Sequence, residues 1–208
     1  MEFGLLSLLR TDPLVFVLLA ASLVGAISMH EYGHAVAADL QGDRLPRAMG
    51  RLTLNPAKHL DPLGTICLVL VGFGWGKPVE FRPQALSSRR FGAAIVALAG
   101  PLMNLVLAFA AAVLFGILGD RTGTLAQFLG LFFGINVLLA VFNLIPLPPL
   151  DGSRLLTIFL PPSKHKIIFF LDQYGFLILL LLVFFGGFQL LRPVIDQVER
   201  ALLSIAGV

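Results

Sequence analysis

Charged side chains and cysteines are both scarce in this sequence of 208 residues. Only 13% of the residues are charged, against 57% that are hydrophobic, and the mean hydropathy is +0.91. This balance excludes an ordinary soluble domain and predicts an integral membrane protein. The single cysteine, Cys67, excludes a disulfide within the chain. The small net charge of +3 is spread over loops, which argues against a nucleic-acid partner.

The N-terminus also lacks the basic start of a removable signal peptide. It carries Glu2 instead, and the apolar run that follows Pro13 contains the histidine motif described below. We therefore expect the first long helix to belong to the mature protein.

Long apolar runs are what the chain has in abundance. They cover residues 14–38, 66–75, 91–118, 125–142 and 167–191. Four of them approach or exceed the ~20 residues that span a bilayer as a helix, whereas the second is too short. The sequence therefore predicts an α-helical polytopic membrane protein with about four to five membrane helices, one of them broken at a proline-rich motif.

The chain shows no internal repeat, low-complexity tract or linker, so we predict one domain over residues 1–208. Its core covers 13–160, an additional membrane helix covers 167–191, and a tail covers 192–208. The tail has apolar residues at helical spacing, which is compatible with a helix on the membrane surface or with a disordered end.

The short run 66–75 decides which loops share a side of the membrane. Strand-like alternation flanks it at 51–55 and 79–82, and "GFGWGKP" favours a turn, so we predict a re-entrant, β-hairpin-like segment beside the functional site. On this interpretation ten basic residues share one side: Arg44, Arg47, Arg51, Lys58, Lys77, Arg82, Arg89, Arg90, Lys164 and Lys166. The other side has Arg10, Arg121, Arg192 and Arg200. The positive-inside rule then places the larger group in the cytoplasm.

Two histidines and a glutamate interrupt the first apolar run, in "ISMHEYGHAVAADLQGD". On a helix, His30 and His34 are one turn apart and can reach one metal ion, while Glu31 can reach a water on that ion. The plainer interpretation is that the histidines form hydrogen bonds between packed helices. That interpretation leaves Glu31 unexplained, because an unpaired ionisable group at membrane depth is costly.

A third metal ligand is expected, because catalytic zinc takes three protein ligands and keeps one position open. The candidate is Asp151, in "FNLIPLPPLDG", where prolines end an apolar helix. A helix break with Asp151 as the cap of the next helix explains the prolines equally well. Helices that enter from one side at Pro13 and Gly123 both reach roughly 25–30 Å inward at His30 and Asn143, at ~1.5 Å per residue. The two motifs should therefore meet, near the cytoplasmic face.

Together, "HEYGH" and "NLIPLPPLDG" resemble the motifs of the site-2 protease family of intramembrane zinc metalloproteases. Asn143, Pro146, Asp151 and Gly152 match the second motif of that family, Asn-x-x-Pro-x-x-x-x-Asp-Gly. "GRLTLNPAKHLDPLGTI", "GWGKPV" and "AGPLMN" are similar to its compact bacterial members, which lack PDZ and CBS domains.

The resemblance implies one Zn²⁺ per chain, bound by His30, His34 and Asp151, with Glu31 as the general acid/base. It also implies Asn143 as a contact to the substrate. The expected substrate is a transmembrane protein, cut within or near its membrane segment in a bacterial or archaeal cell membrane. A metal transporter or other metal-binding membrane protein is the main alternative, and an inactive relative that retains membrane clients is the second.

The remaining polar residues in apolar surroundings receive plainer interpretations. We expect His59 and His165, in loops beside basic residues, to be solvated or to contact lipid headgroups. Asn104 and Asn136 are expected to form hydrogen bonds between membrane helices.

Overall fold

The fold is almost entirely helical. The computed structural model describes residues 6–71, 74–88, 91–118, 121–159 and 165–208. Its helices are α1 (Leu6–Thr11), α2 (Pro13–Leu40), α3 (Leu45–Ala48), α4 (Pro62–Val71), α5 (Phe91–Ile117), α6 (Thr124–Asn143), α7 (Gly152–Phe159), α8 (His165–Phe184) and α9 (Gly187–Ala206). Short 3₁₀ turns form at Pro56–Lys58 and Pro83–Ala85.

Four of the described helices are long and apolar enough to cross a membrane, which confirms the predicted polytopic architecture. They cover Pro13–Leu40, Phe91–Ile117, Thr124–Asn143 and Lys166–Phe184. The last of them is shorter than the predicted helix 167–191. The helix ends at Phe184 because Gly186 adopts a left-handed conformation, with φ of 84°, and α9 begins directly after it.

Helices α2, α5 and α6 form the centre of the fold, and small side chains hold them close together. Fully buried alanines line their contacts, among them Ala26, Ala35, Ala108 and Ala140. Helix α2 lies close to α5 at Gly33, where an added Cβ would lie 2.8 Å from the carbonyl oxygen of Ala99. Small residues suit this packing because lipid offers no hydrophobic force that would press membrane helices together.

The predicted β-hairpin-like segment is wrong in its secondary structure. The first part of the apolar run lies in the ten-residue helix α4, and Trp75 lies so close to the start of this helix that a Cβ on Gly64 would be 2.2 Å from the oxygen of Trp75. No strand forms among the described residues, and one isolated antiparallel bridge joins Leu60 and Gly76. Side-chain and turn contacts replace the expected ladder, since Asn55 caps the 3₁₀ turn that follows it.

The C-terminal tail, which the sequence left open between a surface helix and a disordered end, forms the helix α9. Its apolar side chains Ile195, Val198 and Leu202 pack on the cluster formed by Ala108 of α5 and Val137 of α6. The tail is therefore part of the packed structure.

A buried carboxylate fastens the end of α2 to the chain that follows α4. Asp43, with a side chain that is 0% exposed, accepts hydrogen bonds from the backbone N–H groups of Leu45 and Arg82. The guanidinium of Arg82 donates two more, at 3.1 and 2.9 Å. Although burial alone would raise it, these donors hold the pKa of Asp43 below its ordinary value.

We expect Asp43→Asn to lower the unfolding temperature of the detergent-solubilised protein, because an amide cannot accept all of these bonds as a carboxylate does. A lowered pKa stabilises the fold above the pKa of the unfolded state, and this contribution is lost as the pH falls through the folded pKa. The gap between variant and wild type should therefore be full at pH 7 and narrow below about pH 4. Asp12→Asn is the matched control, because Asp12 caps α2 and asparagine caps a helix equally well. An Asp43→Asn protein as stable as the control would refute the role of this carboxylate.

Candidate metal centre

Three side-chain atoms from distant parts of the chain converge at the centre of the bundle. The Nε2 atoms of His30 and His34 lie 3.0 Å apart, and Oδ2 of Asp151 lies 3.0 and 3.2 Å from them. The histidines share one face of α2 through their four-residue spacing, as predicted. Asp151 arrives from the proline-rich break between α6 and α7, as predicted too. Gly152 makes this possible, because a Cβ there would lie 2.3 Å from the oxygen of Leu144.

Helix α5 fixes the orientation of both imidazoles through their outer nitrogens. Nδ1 of His34 lies 2.7 Å from the carbonyl oxygen of Val96, and Nδ1 of His30 lies 2.6 Å from Oδ1 of Asn104. Both partners are acceptors, since the amide nitrogen of Asn104 donates to the oxygens of Ala26 and Asn136. Each Nδ1 therefore carries a proton, and a neutral imidazole in this orientation presents the lone pair of Nε2 to the centre.

This protonation pattern makes the centre suitable for a cation. Two imidazole nitrogens and a carboxylate oxygen lie within 3.2 Å of one another, and all three are atoms of kinds that bind metal ions. Tetrahedral zinc with ligands at about 2.0–2.1 Å separates those ligands by about 3.3 Å, close to these distances. Two histidines and one carboxylate are also a donor set of catalytic zinc sites with an open position. The residues fit a zinc ion.

The absence of a side chain at Gly100 leaves room for the centre. Val96, Gly100 and Asn104 follow one another at four-residue intervals on the face of α5 that meets the histidines. A Cβ on Gly100 would lie 2.4 Å from Nε2 of His34 and 2.6 Å from Nε2 of His30. A larger residue would therefore displace the atoms that bind the metal.

The centre opens into a cavity of about 430 Å³. Glu31 lines it beside the histidines, and one of its carboxylate oxygens, Oε2, accepts a hydrogen bond of 3.1 Å from the backbone N–H of Val79. Asn143 also lines the cavity, and its amide donates to Leu139 of its own helix. Most of the remaining wall is apolar and includes Ile27, Trp75, Phe81, Phe142, Leu150, Phe176 and Leu179.

The structure thus brings all five predicted site residues to one cavity, and it corrects one expectation about other residues and extends another. His59 is completely buried, with Nε2 2.7 Å from the oxygen of Thr53, so the expectation of a solvated side chain is wrong. The side chain of His165 lies outside the described part of the structure. Asn104 and Asn136 do join the helices, but the sequence analysis missed that Asn104 also orients His30. Its spacing from Gly100 on the same helical face was the available signal.

We expect Asn104→Leu to weaken zinc binding by about 10- to 100-fold, the usual effect of removing a group that orients a metal-binding histidine. Zinc affinity is to be measured by competition with a chelator, without reference to activity. Ser22→Ala is the control, because Ser22 is also fully buried on α2 but its hydroxyl has no hydrogen-bond partner among the described residues. Unchanged affinity in the Asn104 variant would show that His30 needs no partner at Nδ1.

Comparisons with known proteins agree with this centre. The chain is 36% identical over 197 residues to YwhC of Bacillus subtilis, a protein provisionally named a zinc metalloprotease, and the match covers 90% of each chain. It is 34% identical over 179 residues to Rip2 of Mycolicibacterium smegmatis, which has the same provisional description, covering 81% of this chain and 67% of that one.

A shorter match, 47% identical over 62 residues, links 29% of the chain to the protein MJ0611 of Methanocaldococcus jannaschii, also provisionally named a zinc metalloprotease. No solved structure matched the chain. Residues 18–123 and 119–185 match Peptidase family M50. With matches over most of its length, the chain belongs to Peptidase family M50, the site-2 protease family.

Proposed function

We propose that the protein is an intramembrane zinc metalloprotease that hydrolyses peptide bonds within or near the transmembrane segments of other membrane proteins, as in regulated intramembrane proteolysis. The observation that carries the proposal is the position of the centre. His30 and His34 lie on α2, a helix apolar and long enough to cross a membrane, and Asp151 lies within 3.2 Å of both. Hydrolysis at this depth acts on a protein that lies in the membrane.

In this proposal His30, His34 and Asp151 hold one zinc ion per chain. Bound zinc supplies a Lewis acid that polarises a carbonyl and acidifies water. Glu31 takes the proton from the attacking water and returns it to the leaving amine. Asn143 offers the substrate carbonyl its remaining amide proton, because only one of its two N–H groups is directed at Leu139.

The walls of the cavity suit an apolar, unwound peptide. Large apolar side chains such as Trp75, Phe142 and Phe176 surround the polar groups, and they match the side chains of a membrane segment. A helical substrate has to open locally, since its carbonyls are otherwise hydrogen-bonded within the helix. The alternative of a metal transporter has little support, because the described residues contain a single cluster able to hold a metal ion rather than a series along a route.

The proposal places the protein in a bacterial or archaeal cell membrane, with the centre towards the cytoplasm and α4 as a re-entrant helix. This placement is supported by the segments before and after α4, which lie side by side. The bridge between Leu60 and Gly76 joins them, and the N–H of Lys77 donates a 2.7 Å hydrogen bond to the carbonyl oxygen of His59. The basic loops on either side of α4 then share one face, as the positive-inside rule requires.

Replacing the proposed base and a proposed ligand should have separable effects. We expect Glu31→Gln to keep its zinc while cleavage of a co-expressed membrane client falls by about 10²-fold or more, the usual contribution of general acid–base catalysis. Asp151→Ala should lose zinc as well as activity. Zinc is to be measured by elemental analysis and cleavage by accumulation of uncut client. Near-normal turnover in Glu31→Gln would exclude the mechanism, and full zinc occupancy in Asp151→Ala would exclude that ligand.

A labelling experiment tests the topology. In a Cys67→Ala background, Lys58→Cys and Lys77→Cys should react with a membrane-impermeant maleimide from the same, cytoplasmic side, because they flank the re-entrant α4. Thr122→Cys, in the loop between α5 and α6, is the control and should react from the opposite side. Labelling of positions 58 and 77 from opposite sides would show that α4 crosses the membrane.

A further inference from the structure

The chain that returns from α4 forms one wall of the cavity. We call residues 74–82 the strap. Six of its nine residues line the cavity: Gly74, Trp75, Gly76, Pro78, Val79 and Phe81. The strap also touches the proposed base, because the N–H of Val79 donates to Oε2 of Glu31 at 3.1 Å. The hydrogen bond from Val79 involves Oε2 and not Oε1, the other carboxylate oxygen of Glu31.

A buried arginine outside the helical bundle holds the strap from its other side. Arg51 is 2% exposed, and its guanidinium donates to the carbonyl oxygens of Lys77, at 2.9 Å, and Pro78, at 2.6 Å. It also donates to the carbonyl oxygen of Lys58, in the loop before α4. No carboxylate among the described residues lies within ion-pair distance of it. Such burial is costly for a cation, so the position needs an explanation other than charge pairing.

The two contacts meet in one rigid group. The carbonyl of Pro78 and the N–H of Val79 belong to the same planar, trans peptide, so they point in opposite directions. Arg51 donates a hydrogen bond to the carbonyl oxygen of this peptide, and Glu31 accepts one from its N–H. Fixing the oxygen therefore fixes the direction of the N–H bond, and a cation on the carbonyl also makes the peptide a stronger donor.

We propose that Arg51 is a positioning residue for the general acid/base: through the peptide between Pro78 and Val79 it orients the carboxylate of Glu31. The inference rests on the proposed function, because it concerns the same reaction. Lysine is no substitute at this position. One nitrogen of Arg51, Nη2, reaches the carbonyls of Lys77 and Pro78 while the other, Nη1, reaches that of Lys58, whereas an ammonium is a single point of charge.

The first experiment compares Arg51→Lys with Arg47→Lys in the full chain, reconstituted with zinc. Arg47 is the matched control because it lies in the same region but is exposed and bonds to Asp39, away from the strap. We expect Arg51→Lys to keep its zinc and to lower kcat by about tenfold with KM changed by less than about twofold, since a misplaced base affects the chemical step rather than binding. Arg47→Lys should behave as wild type.

The second experiment measures the strap directly. Trp75, the only tryptophan of the chain, lies in the strap, so quenching of its fluorescence by acrylamide reports the position of this segment. We expect stronger quenching in Arg51→Lys than in Arg47→Lys. Glu31→Ala should also increase quenching, because it removes the acceptor of Val79, whereas Glu31→Gln keeps an acceptor oxygen and should match wild type. This pair leaves Arg51 unchanged and decides the question even if Arg51→Lys does not fold.

Equal kcat in Arg51→Lys and Arg47→Lys would overturn the proposal, and so would identical quenching in Glu31→Ala and Glu31→Gln. A fall in kcat accompanied by loss of zinc would also overturn it, because Arg51 would then support the metal centre as a whole. If wild type cuts no membrane client, the proposed function fails. The quenching comparisons then still decide whether Arg51 and Glu31 are connected through the strap.

Discussion

The convergence of two histidine nitrogens and one carboxylate oxygen is the constraint on which the rest of this structure depends. Nε2 of His30, Nε2 of His34 and a carboxylate oxygen of Asp151 lie within 3.2 Å of one another, and both histidines are buried. Three potential metal ligands so close together require surrounding protein that holds each side chain in place. The bundle around them is arranged accordingly, with donors and acceptors that fix each imidazole.

Close packing of α2 against α5 holds the two histidines in these positions. The contact depends on residues that have little or no side chain, since Gly33 meets the backbone of Ala99 and Gly100 faces both histidine rings. Small residues bring the α5 backbone near enough for the oxygen of Val96 to accept a hydrogen bond from Nδ1 of His34. Membrane helices associate through such close contacts and through hydrogen bonds, so the features that stabilise the bundle also orient the centre.

Two buried charged side chains hold the irregular segments between α2 and α5. Arg51 and Asp43 are buried, and both bond to the strap or its end: Arg51 to the carbonyls of Lys77 and Pro78, Asp43 to Arg82. Irregular backbone at the edge of a membrane needs partners for its polar groups, and these two side chains supply them. The same contacts give the strap one defined position beside Glu31. The hydrogen bonds that satisfy the backbone of the strap therefore also shape the cavity.

Much of the candidate site could be predicted because its signals are local. The four-residue spacing of His30 and His34 gives a shared helical face without reference to any other part of the chain. The prolines before Asp151 end α6 wherever the helix packs. What could not be predicted were partners far apart in sequence, such as Asn104, which bonds to a histidine 74 residues away. The spacing of Asn104 from Gly100 indicates which face of the helix it shares, but the sequence does not say that this face meets His30.

The sequence by itself determined the four helices that are long and apolar enough to span a membrane, since the length of an apolar run and the thickness of a bilayer are independent of tertiary contacts. It also determined the residue types that meet at the centre. Tertiary structure decided the path of residues 51–55 and 79–82, where alternation suggested strands but long-range bonds of Arg51 and Asp43 fixed an irregular conformation. It likewise buried His59. Alternation describes only which side chains share a face, whereas a strand exists only when a second strand takes up its backbone bonds.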